Sequence, residues 1–249
     1  MQEMKPWHEQ DVFWETVAPI LFAQRRWSDA PAEVEQVVSL LGIGPGTHIL
    51  DLCCGVGRHS LELARRGFHV TGVDRTRLYL DRASKQAEAE GLKIEFVRDD
   101  MRSFCRPDAF DVVINLFTSF SYFEDPEEDR QVLLNVYRSL KPGGVFLLEM
   151  MGKEILARIF RERDWHEENG VLILEERKLS KNWGWIESRW IMFKGNNRTE
   201  LRLSQRLYSA VELTSLVTGC GFTHVDVYGD LAGSAYDHMA TRLAIVAHR

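Results

Sequence analysis

Long hydrophobic runs are missing from this chain of 249 residues. The apolar stretches extend over only a few residues each, so the sequence predicts no membrane-spanning helix. The N-terminal segment MQEMKPWHEQ is polar and lacks the apolar region of a secretory signal peptide. We therefore expect a cytoplasmic protein that has no membrane partner.

An excess of positive charge is missing as well. The chain has 31 Lys and Arg residues against 37 Asp and Glu residues, and its net charge is −6. Proteins that bind the backbone of nucleic acids usually carry a basic surface. The charge balance therefore favours a partner other than nucleic acid.

Paired cysteine motifs are the third absence. The four cysteines show no CxxC spacing, and no HExxH segment accompanies them, so we expect no metal site. Cys53 and Cys54 are adjacent, and neighbouring cysteines rarely bond to each other, which suits a reducing compartment. We interpret this pair as small packing residues beside a glycine turn.

The sequence does contain a regular alternation of strands and helices. Apolar segments typical of buried strands occur at 47–52, 68–73, 94–97, 110–115 and 144–150. Helical patterns lie at about 57–66, 76–90 and 126–140. Two later strands, at 222–228 and 241–247, suit an antiparallel pair. The pattern predicts an α/β fold with a doubly wound, mostly parallel sheet and an antiparallel last strand.

The segment ILDLCCGVGRHS at 49–60 joins the first strand to the first helix of this alternation. Gly55 and Gly57 let the backbone approach a ligand closely, and the start of the helix directs free N–H groups toward it. A dinucleotide-binding loop would have glycine or alanine three residues after Gly57, where this chain has Ser60. The fingerprint is incomplete, and the two glycines alone do not identify the ligand.

Polar residues stand at the ends of the first four strands. In chain order they are Asp51, Asp74, Asp100 and Asn115. The carboxyl ends of parallel strands meet at one edge of the sheet, where open α/β folds bind ligands. A carboxylate at Asp74 can accept hydrogen bonds from both hydroxyls of a ribose, and we expect it to be exposed in the empty site. These residues predict a nucleoside site at that edge.

With these residues in this order, the chain resembles the class I S-adenosylmethionine-dependent methyltransferases that act on small molecules. The resemblance covers about 45–150 and includes the segment LKPGG at 140–144, before the fifth strand. The glycine and phenylalanine at 221–222 also match the family pattern. One departure is Cys53, where the family often has a glycine. The resemblance implies a seven-stranded sheet and S-adenosyl-L-methionine as the cofactor.

The resemblance also implies a role for each matching residue. The methionine part of the cofactor would lie against Asp51, Cys53, Gly55, Gly57 and Arg58. The ribose and the adenine would be bound by Asp74, Arg75, Asp100 and Met101. The sulfonium end would lie beside Asn115 and Phe117.

No single residue stands out as the catalytic group. The sulfonium is an activated methyl donor, so the protein must mainly align donor and acceptor, and a base is needed only for a protonated acceptor. Four side chains near the expected cleft are candidates for that base, namely His59, Tyr122, Glu149 and Tyr236. Each has a structural interpretation as well, as a surface residue, a packing residue or a hydrogen-bond partner.

Methyl transfer to a small-molecule acceptor, by in-line displacement at the sulfonium methyl, is the function that the resemblance implies. The sequence Asn-Leu-Phe-Thr at 115–118 differs from the Asn/Asp-Pro-Pro motif of enzymes that methylate amino groups of nucleic acids. Two alternatives stay open at this point, an NAD-dependent oxidoreductase and a protein that binds S-adenosylmethionine without catalysis. The sequence decides neither the acceptor nor the oligomeric state.

Three units are expected along the chain. They are a pair of N-terminal helices over the cofactor cleft, a methyltransferase core, and an inserted helix with an antiparallel β lid. In that order, the units are residues 1–45, residues 46–151 together with 209–249, and residues 152–208. Within the lid, a strand at 183–193 would present Trp183, Trp185 and Phe193 on one face, which is a candidate wall of the acceptor pocket.

Overall fold

Strands and helices alternate through residues 5–249, which are the residues that the structure, a computed structural model, describes. The strands are β1 (His48–Leu52), β2 (His69–Asp74), β3 (Ile94–Arg98), β4 (Phe110–Asn115), β5 (Leu140–Met150), β6 (Arg163–Glu168), β7 (Val171–Ser180), β8 (Trp185–Lys194), β9 (Asn197–Arg206), β10 (His224–Tyr228) and β11 (Leu243–His248). The helices are α1 (Asp11–Leu21), α2 (Gln24–Leu41), α3 (Arg58–Arg65), α4 (Arg77–Ala89), α5 (Pro126–Ser139), α6 (Lys153–Ile159) and α7 (Ala210–Gly219). No helix within this range combines the length and the apolar character that crossing a membrane requires.

Seven of these strands form one sheet in the order β10-β11-β5-β4-β1-β2-β3. Strands β1 to β5 are parallel, whereas β11 runs antiparallel to both of its neighbours, β5 and β10. Ile49 and Leu50 are consecutive in β1 and belong to separate buried clusters, because successive side chains point to opposite faces. Burial on both faces explains the continuous apolar runs in the sequence. The predicted α/β fold with an antiparallel last strand is confirmed.

Local sequence explains where the helices of the main sheet begin. Asp125 caps α5, because its side chain accepts a hydrogen bond from the backbone N–H of Glu127 at 3.0 Å. Ser209 and Glu212 form a reciprocal capping box at the start of α7. Helix α3 begins directly after Gly57, whose φ is 75°. The glycine turn therefore places the start of α3 at the carboxyl edge of the sheet.

A second sheet of four antiparallel strands, β6 to β9, is inserted between α6 and α7, and we call it the lid sheet. One face packs through Val171, Ile173 and Met192 against Ile20 of α1. This agrees with the small antiparallel insertion that the sequence predicts. Strands β6 to β9 and helix α6 all lie within the range 152–208 in which the inserted helix and lid are expected.

The residues around α1 connect the lid sheet to the main sheet. Trp7 donates a hydrogen bond from its indole N–H to the carbonyl of Ser204 in β9, at 2.9 Å. On the other side, Arg75 donates to the carbonyl of Glu9 at 2.8 Å. The unit boundaries at residues 45, 151 and 208 stay a prediction, and residues 1–4 of the first unit lie outside the described residues.

Candidate functional site

A cavity of about 540 Å³ lies at the carboxyl ends of β1, β2 and β4. Its other walls come from the residues before α2, such as Trp14, and from the lid sheet. Most of the residues predicted to bind the cofactor line this cavity. They are Asp51, Cys53, Gly55, Arg58, Asp74, Arg75, Asp100, Met101 and Phe117. The structure brings these residues together, and their individual roles stay predictions.

Two residues that we expected at the cofactor, Gly57 and Asn115, do not line the cavity. Gly57 has a φ of 75°, and a Cβ there would lie 2.9 Å from the Cβ of Ala83, so this glycine allows α3 and α4 to pack closely. Asn115 is buried and donates from its amide to the carbonyl of Leu52 at 3.1 Å. Both residues therefore stabilise the glycine turn without lining the cavity.

Two residues of the glycine turn, Gly55 and Cys53, line the cavity and have positive φ angles. Gly55 has a φ of 57°, and a Cβ on it would lie 2.9 Å from the ring of Phe22. Cys53 has a φ of 64°, a conformation that costs a residue with a side chain more than it costs glycine. Burial raises the pKa of Cys53 and of Cys54 well above the usual range, so both thiols are protonated at neutral pH. Among residues 5–249 no cluster of His, Cys, Asp or Glu side chains is arranged to hold a metal ion.

Ser60, the residue that interrupts the dinucleotide fingerprint, has a partner in the site. Its hydroxyl donates a hydrogen bond to the carboxylate of Asp51 at 2.5 Å. Asp51 is 3% exposed, and burial raises its pKa despite the nearby His59 and Ser60. A glycine or alanine at position 60 would remove this hydroxyl, so the departure from the fingerprint supplies a side-chain donor to a buried carboxylate.

Asp74 is engaged by the backbone, which corrects our expectation of an exposed carboxylate. One oxygen accepts from the N–H of Gly55 at 2.9 Å, and the other accepts from the N–H of Thr76 at 2.8 Å. Burial raises the pKa of Asp74, while these two backbone donors oppose that shift. Each oxygen keeps a lone pair for a further donor. Asp74 therefore links the glycine turn to the end of β2 and faces the cavity as well.

Asp100 is paired with Arg102, a residue that the sequence reasoning missed. Arg102 donates to Asp100 from its backbone and from its guanidinium, at 2.8–2.9 Å. The same guanidinium binds Glu9 and Glu128, each at 2.7 Å. Burial opposes the charge of Asp100, but the hydrogen bonds from Arg102 bring its pKa below the usual range. Arg102 thus ties the predicted adenine-binding residue to the segment before α1.

Three arginines surround the ring of Phe117 at the opposite end of the cavity. The guanidinium carbons of Arg26, Arg58 and Arg242 lie 5.2, 4.1 and 5.8 Å from the ring centroid. Arg58, which we expected to help bind the methionine carboxylate, is buried and forms an ion pair with Glu33. Among residues 5–249, Arg26 has no carboxylate within 4.0 Å. Arg26 is therefore the cation in this group that is available to an anionic ligand.

Two of the four candidates for a catalytic base are unsuited by position. Tyr236 does not line the cavity, contrary to our expectation, and donates its hydroxyl to Glu154 at 2.9 Å. Glu149 is 2% exposed, accepts from the N–H of Phe117 at 2.7 Å, and forms an ion pair with Arg242. Glu149 is a hydrogen-bond partner at the end of a strand, as in its structural interpretation.

The other two candidates line the cavity but are also occupied. The imidazole of His59 lies 2.9 Å from the carboxylate of Glu33 and stacks on Phe117, with ring centroids 5.6 Å apart. His59 is buried, so it is not a surface residue. Tyr122 donates its hydroxyl to the carbonyl of Thr118 at 2.9 Å, and burial raises its pKa far above the usual range. Each of these two groups is already committed to a partner within the protein.

The lid sheet contributes a face to the cavity, but not the face that we expected. Trp183 and Trp185 line a separate groove, because Trp183 lies in a turn and Trp185 points to the opposite side of β8 from Trp190. Phe193 shares the alternation of Trp185 and does not line the cavity either. The lid residues that do line it are His166, Glu175, Trp190, Leu203 and Gln205.

Comparisons with known proteins agree with this geometry. Residues 49–144 match the family model described as a methyltransferase domain. A protein of Geobacillus sp. (strain WCH70), provisionally named a methyltransferase, is 26% identical over 230 residues, which cover 87% of this chain and 90% of that protein. A solved S-adenosylmethionine-dependent methyltransferase from Clostridium acetobutylicum superposes with a TM-score of 0.77 at 17% identity, over 96% of this chain and 98% of that one. An amino pentose methyltransferase from Micromonospora echinaspora, solved with S-adenosylmethionine bound, gives a TM-score of 0.61 at 22% identity, over 90% and 91% of the two chains.

Proposed function

We propose that this chain acts as a class I S-adenosylmethionine-dependent methyltransferase and methylates a small-molecule acceptor held between the glycine turn and the lid sheet. The observation that carries this proposal is the convergence of strand-end residues and lid residues on one cavity. One structural neighbour acts on an amino pentose, which is a small molecule. The net charge of −6 adds support, because nucleic-acid partners favour a basic surface.

The residues of the cavity fit the proposed cofactor. The turn at Gly55 brings the backbone against the cavity wall, and Arg26 offers a cation without a carboxylate partner among the described residues. We assign Arg26 to the methionine carboxylate, since Arg58 is held by Glu33. Asp74 would accept from the ribose hydroxyls. The adenine would be bound near Asp100 and Met101, and Asp51 would hold the amino group of the methionine part.

Bound in this way, the cofactor supplies an activated methyl group. The protein then has to align the acceptor with that methyl and exclude water. The loop after β4 provides the wall beside the transferred methyl, through Phe117 and Thr118. Trp190 and Leu203 provide an apolar wall on the lid side. The acceptor would lie between these two walls.

We further assign His166 as the proton acceptor for acceptors that carry a proton on the reacting atom. Its Nδ1 lies 3.8 Å from the carboxylate of Glu175, and the Glu175 side chain is buried while that of His166 is half exposed. Glu175 also pairs with Arg177 and lies on the Nδ1 side of the imidazole, so we assign the proton transfer to Nε2. As the bond from sulfur to the methyl breaks and the bond to the acceptor forms, the acceptor's proton would move to Nε2 and then to solvent.

The two alternative functions are less favoured. An NAD-dependent oxidoreductase would use the third position of the glycine fingerprint, which Ser60 occupies in order to hold Asp51. A protein that binds the cofactor without catalysis would not need the second wall that the lid sheet builds. Turnover distinguishes this last alternative from an enzyme.

Calorimetry and an acceptor screen test the proposal. We expect S-adenosylhomocysteine to bind to the purified protein and NAD not to bind. In the screen, S-adenosylhomocysteine release is followed with amino sugars, phenols and small carboxylic acids as acceptors, and with duplex DNA as the control. Release with DNA alone, or NAD binding without S-adenosylhomocysteine binding, would contradict the proposed function.

With an acceptor in hand, the assignment of His166 can be tested separately. His166→Asn should lower kcat with acceptors that carry a proton on the reacting atom and leave kcat unchanged with acceptors that do not, because only the former need a base. Tyr236→Phe should leave kcat unchanged with both kinds of acceptor, since Tyr236 does not line the cavity. An equal loss of kcat in His166→Asn with both kinds of acceptor would remove His166 from the proton transfer.

A further inference from the structure

In the loop 116–124, which follows β4, three residues have an energetically unfavourable backbone conformation. Phe117, Thr118 and Ser121 have φ values of 61°, 57° and 74°, in the left-handed region that favours glycine. Such residues persist where the surrounding structure over-determines the backbone, and they cluster at functional sites. Phe117 and Thr118 line the cavity, so this strain lies beside the proposed acceptor.

The two ends of this loop are fixed by different parts of the molecule. At the start, the side chain of Glu149 accepts from the N–H of Phe117 at 2.7 Å, and its carbonyl accepts from the N–H of Thr118 at 3.1 Å. At the far end, Ser121 exchanges two hydrogen bonds with the backbone of Arg206, at 2.8 and 2.9 Å. Arg206 is the last residue of β9, so the lid sheet holds this end of the loop.

The side chain of Arg206 adds a second set of contacts to the same loop. Its guanidinium donates to the carbonyl of Phe123 at 3.3 Å and to the carbonyl of Glu124 at 2.8 Å. Its Nε donates to the carboxylate of Asp129 on α5, at 3.2 Å. One side chain therefore joins the lid sheet, the loop and a helix of the main sheet.

The burial of the Asp129 carboxylate is energetically unfavourable. It is 0% exposed, one oxygen accepts from Arg206 and from the hydroxyl of Tyr208 at 2.8 Å, and the other oxygen has no partner among residues 5–249. Burial raises the pKa of Asp129 to about 6, despite these two donors. Because this pKa is raised in the folded protein, stability falls as the pH rises from the ordinary range of an aspartate to about 6, and the cost persists at higher pH. An asparagine of the same shape would avoid that cost.

We propose that Asp129 and Arg206 are positioning residues that join the lid sheet to the strained loop 116–124, so that the wall beside the transferred methyl and the acceptor-side wall are held in one arrangement. The inference rests on the proposed function, because that function makes the loop part of the reacting site. A buried ion pair is weak evidence of a role in stability, because apolar residues of similar volume often stabilise a fold as well or better. A residue kept to orient Arg206 needs the charge, since a carboxylate accepts more strongly than an amide.

The test compares Asp129→Asn and Arg206→Met with Arg189→Met. Arg189 belongs to the same lid sheet and pairs with Glu176 and Glu200 at 2.8 Å, but it lines the separate groove. Three quantities are measured for each protein at pH 7.5, namely hydrogen exchange of the peptide that covers 116–124, melting temperature, and affinity for S-adenosylhomocysteine. For Asp129→Asn we expect an unchanged or higher melting temperature, exchange in 116–124 that is about tenfold faster, and about three- to tenfold weaker binding.

Arg206→Met should show the same local change more strongly, and Arg189→Met should show none of it. If Arg206→Met does not fold, Arg206→Lys replaces it, since lysine keeps the charge but loses the forked donors. Unchanged exchange in 116–124 for Asp129→Asn, or a lower melting temperature with faster exchange throughout the chain, would overturn the proposal. Wild-type protein that fails to bind S-adenosylhomocysteine would instead count against the proposed function, while the exchange data would still decide on the pair.

Discussion

The central strands of the main sheet are buried on both faces, whereas the strands of the lid sheet have one open face. In β1, the consecutive residues Ile49, Leu50 and Asp51 are all buried, because helices and loops cover both faces. In β7, Val171 and Ile173 are buried while Leu172 between them is not, because one face is open. In a strand that is buried on both faces, the last residues lie at the same edge of the sheet whichever face their side chains point to. In a strand with one open face, the surroundings of a residue depend on which of the two faces its side chain points to.

The difference explains why the side of the cavity that we assign to the cofactor (the cofactor side) could be predicted from the sequence, whereas the side that we assign to the acceptor (the acceptor side) could not. Residues at or just after the ends of β1 to β4 form the cofactor side, and their positions follow from the sheet order. The lid sheet forms the acceptor side, where Trp190 faces the cavity and Trp185, five residues earlier, faces away. Mutations on the cofactor side should therefore change the affinity for S-adenosylhomocysteine, whereas mutations on the acceptor side should change KM for the acceptor. We expect the largest effects on the cofactor side.

Asp74→Ala should have the largest effect. It removes the carboxylate that we assign to both ribose hydroxyls, so affinity for S-adenosylhomocysteine should fall about hundredfold or more. It also leaves the N–H groups of Gly55 and Thr76 without their acceptor, which should lower the free energy of unfolding by about 1–3 kcal/mol. Calorimetry and urea unfolding measure the two effects. Asp81→Ala, on an exposed side of α4, is the control, and unchanged affinity in folded Asp74→Ala would remove Asp74 from the site.

Arg26→Met should have the next largest effect on the cofactor side. The loss of a charged partner for the methionine carboxylate should weaken S-adenosylhomocysteine binding about ten- to hundredfold. The neighbouring Arg25 has a side chain that is 75% exposed, so Arg25→Met is a matched control and should leave the affinity unchanged. Calorimetry at two salt concentrations measures both. Equal effects of the two substitutions would show that Arg26 acts through general charge alone.

Trp190→Ala should change the acceptor side and leave the cofactor side alone. Loss of an aromatic wall should raise KM for the acceptor about tenfold, while S-adenosylhomocysteine affinity should stay within about twofold. Trp183→Ala is the control from the separate groove and should change neither value. Steady-state kinetics with an acceptor from the screen give the first value. A large loss of S-adenosylhomocysteine affinity in Trp190→Ala would mean that the two sides are not separate.

Cys53→Gly should have the smallest effect. Glycine relieves the left-handed backbone at this position, but it also gains freedom in the unfolded chain, so we expect stability to rise by no more than about 1 kcal/mol. S-adenosylhomocysteine affinity should be unchanged. Urea unfolding measures the first value and calorimetry the second. A clear fall in stability would mean that the Cys53 side chain packs in an essential way against Met101, whose sulfur lies 3.6 Å away.

The features that sheet topology determines could be predicted from the sequence. The glycine turn, Asp74 and Asp100 each stand shortly after an apolar run, and a run that ends at a charged residue marks a strand end regardless of tertiary detail. The antiparallel last strand could be predicted because the separation of the final two strands suits an antiparallel pair. These features depend on local pattern and on the rules of parallel sheets.

The rest depended on contacts that no local pattern reveals. Arg25 and Arg26 are identical in type and adjacent in sequence, and only the packing of α2 distinguishes the exposed one from the one that lines the cavity. Arg102 looks like an ordinary charged residue after β3, yet it binds carboxylates from three segments. Asp74 was expected to be exposed, whereas the shape of the turn gives it two backbone partners. Long-range partners of this kind become visible only in three dimensions.

The position of β11 has a consequence for how the protein is made. This strand lies between β5 and β10, although it follows both in the chain. During translation, β5 is synthesised long before β11 and keeps one unpaired edge until residues 243–248 leave the ribosome. An unpaired apolar edge is a route to aggregation for a nascent chain. The sheet therefore closes only after β11 has been synthesised, and a chain that stalls after β10 presents the edge of β5 to chaperones or to other nascent chains.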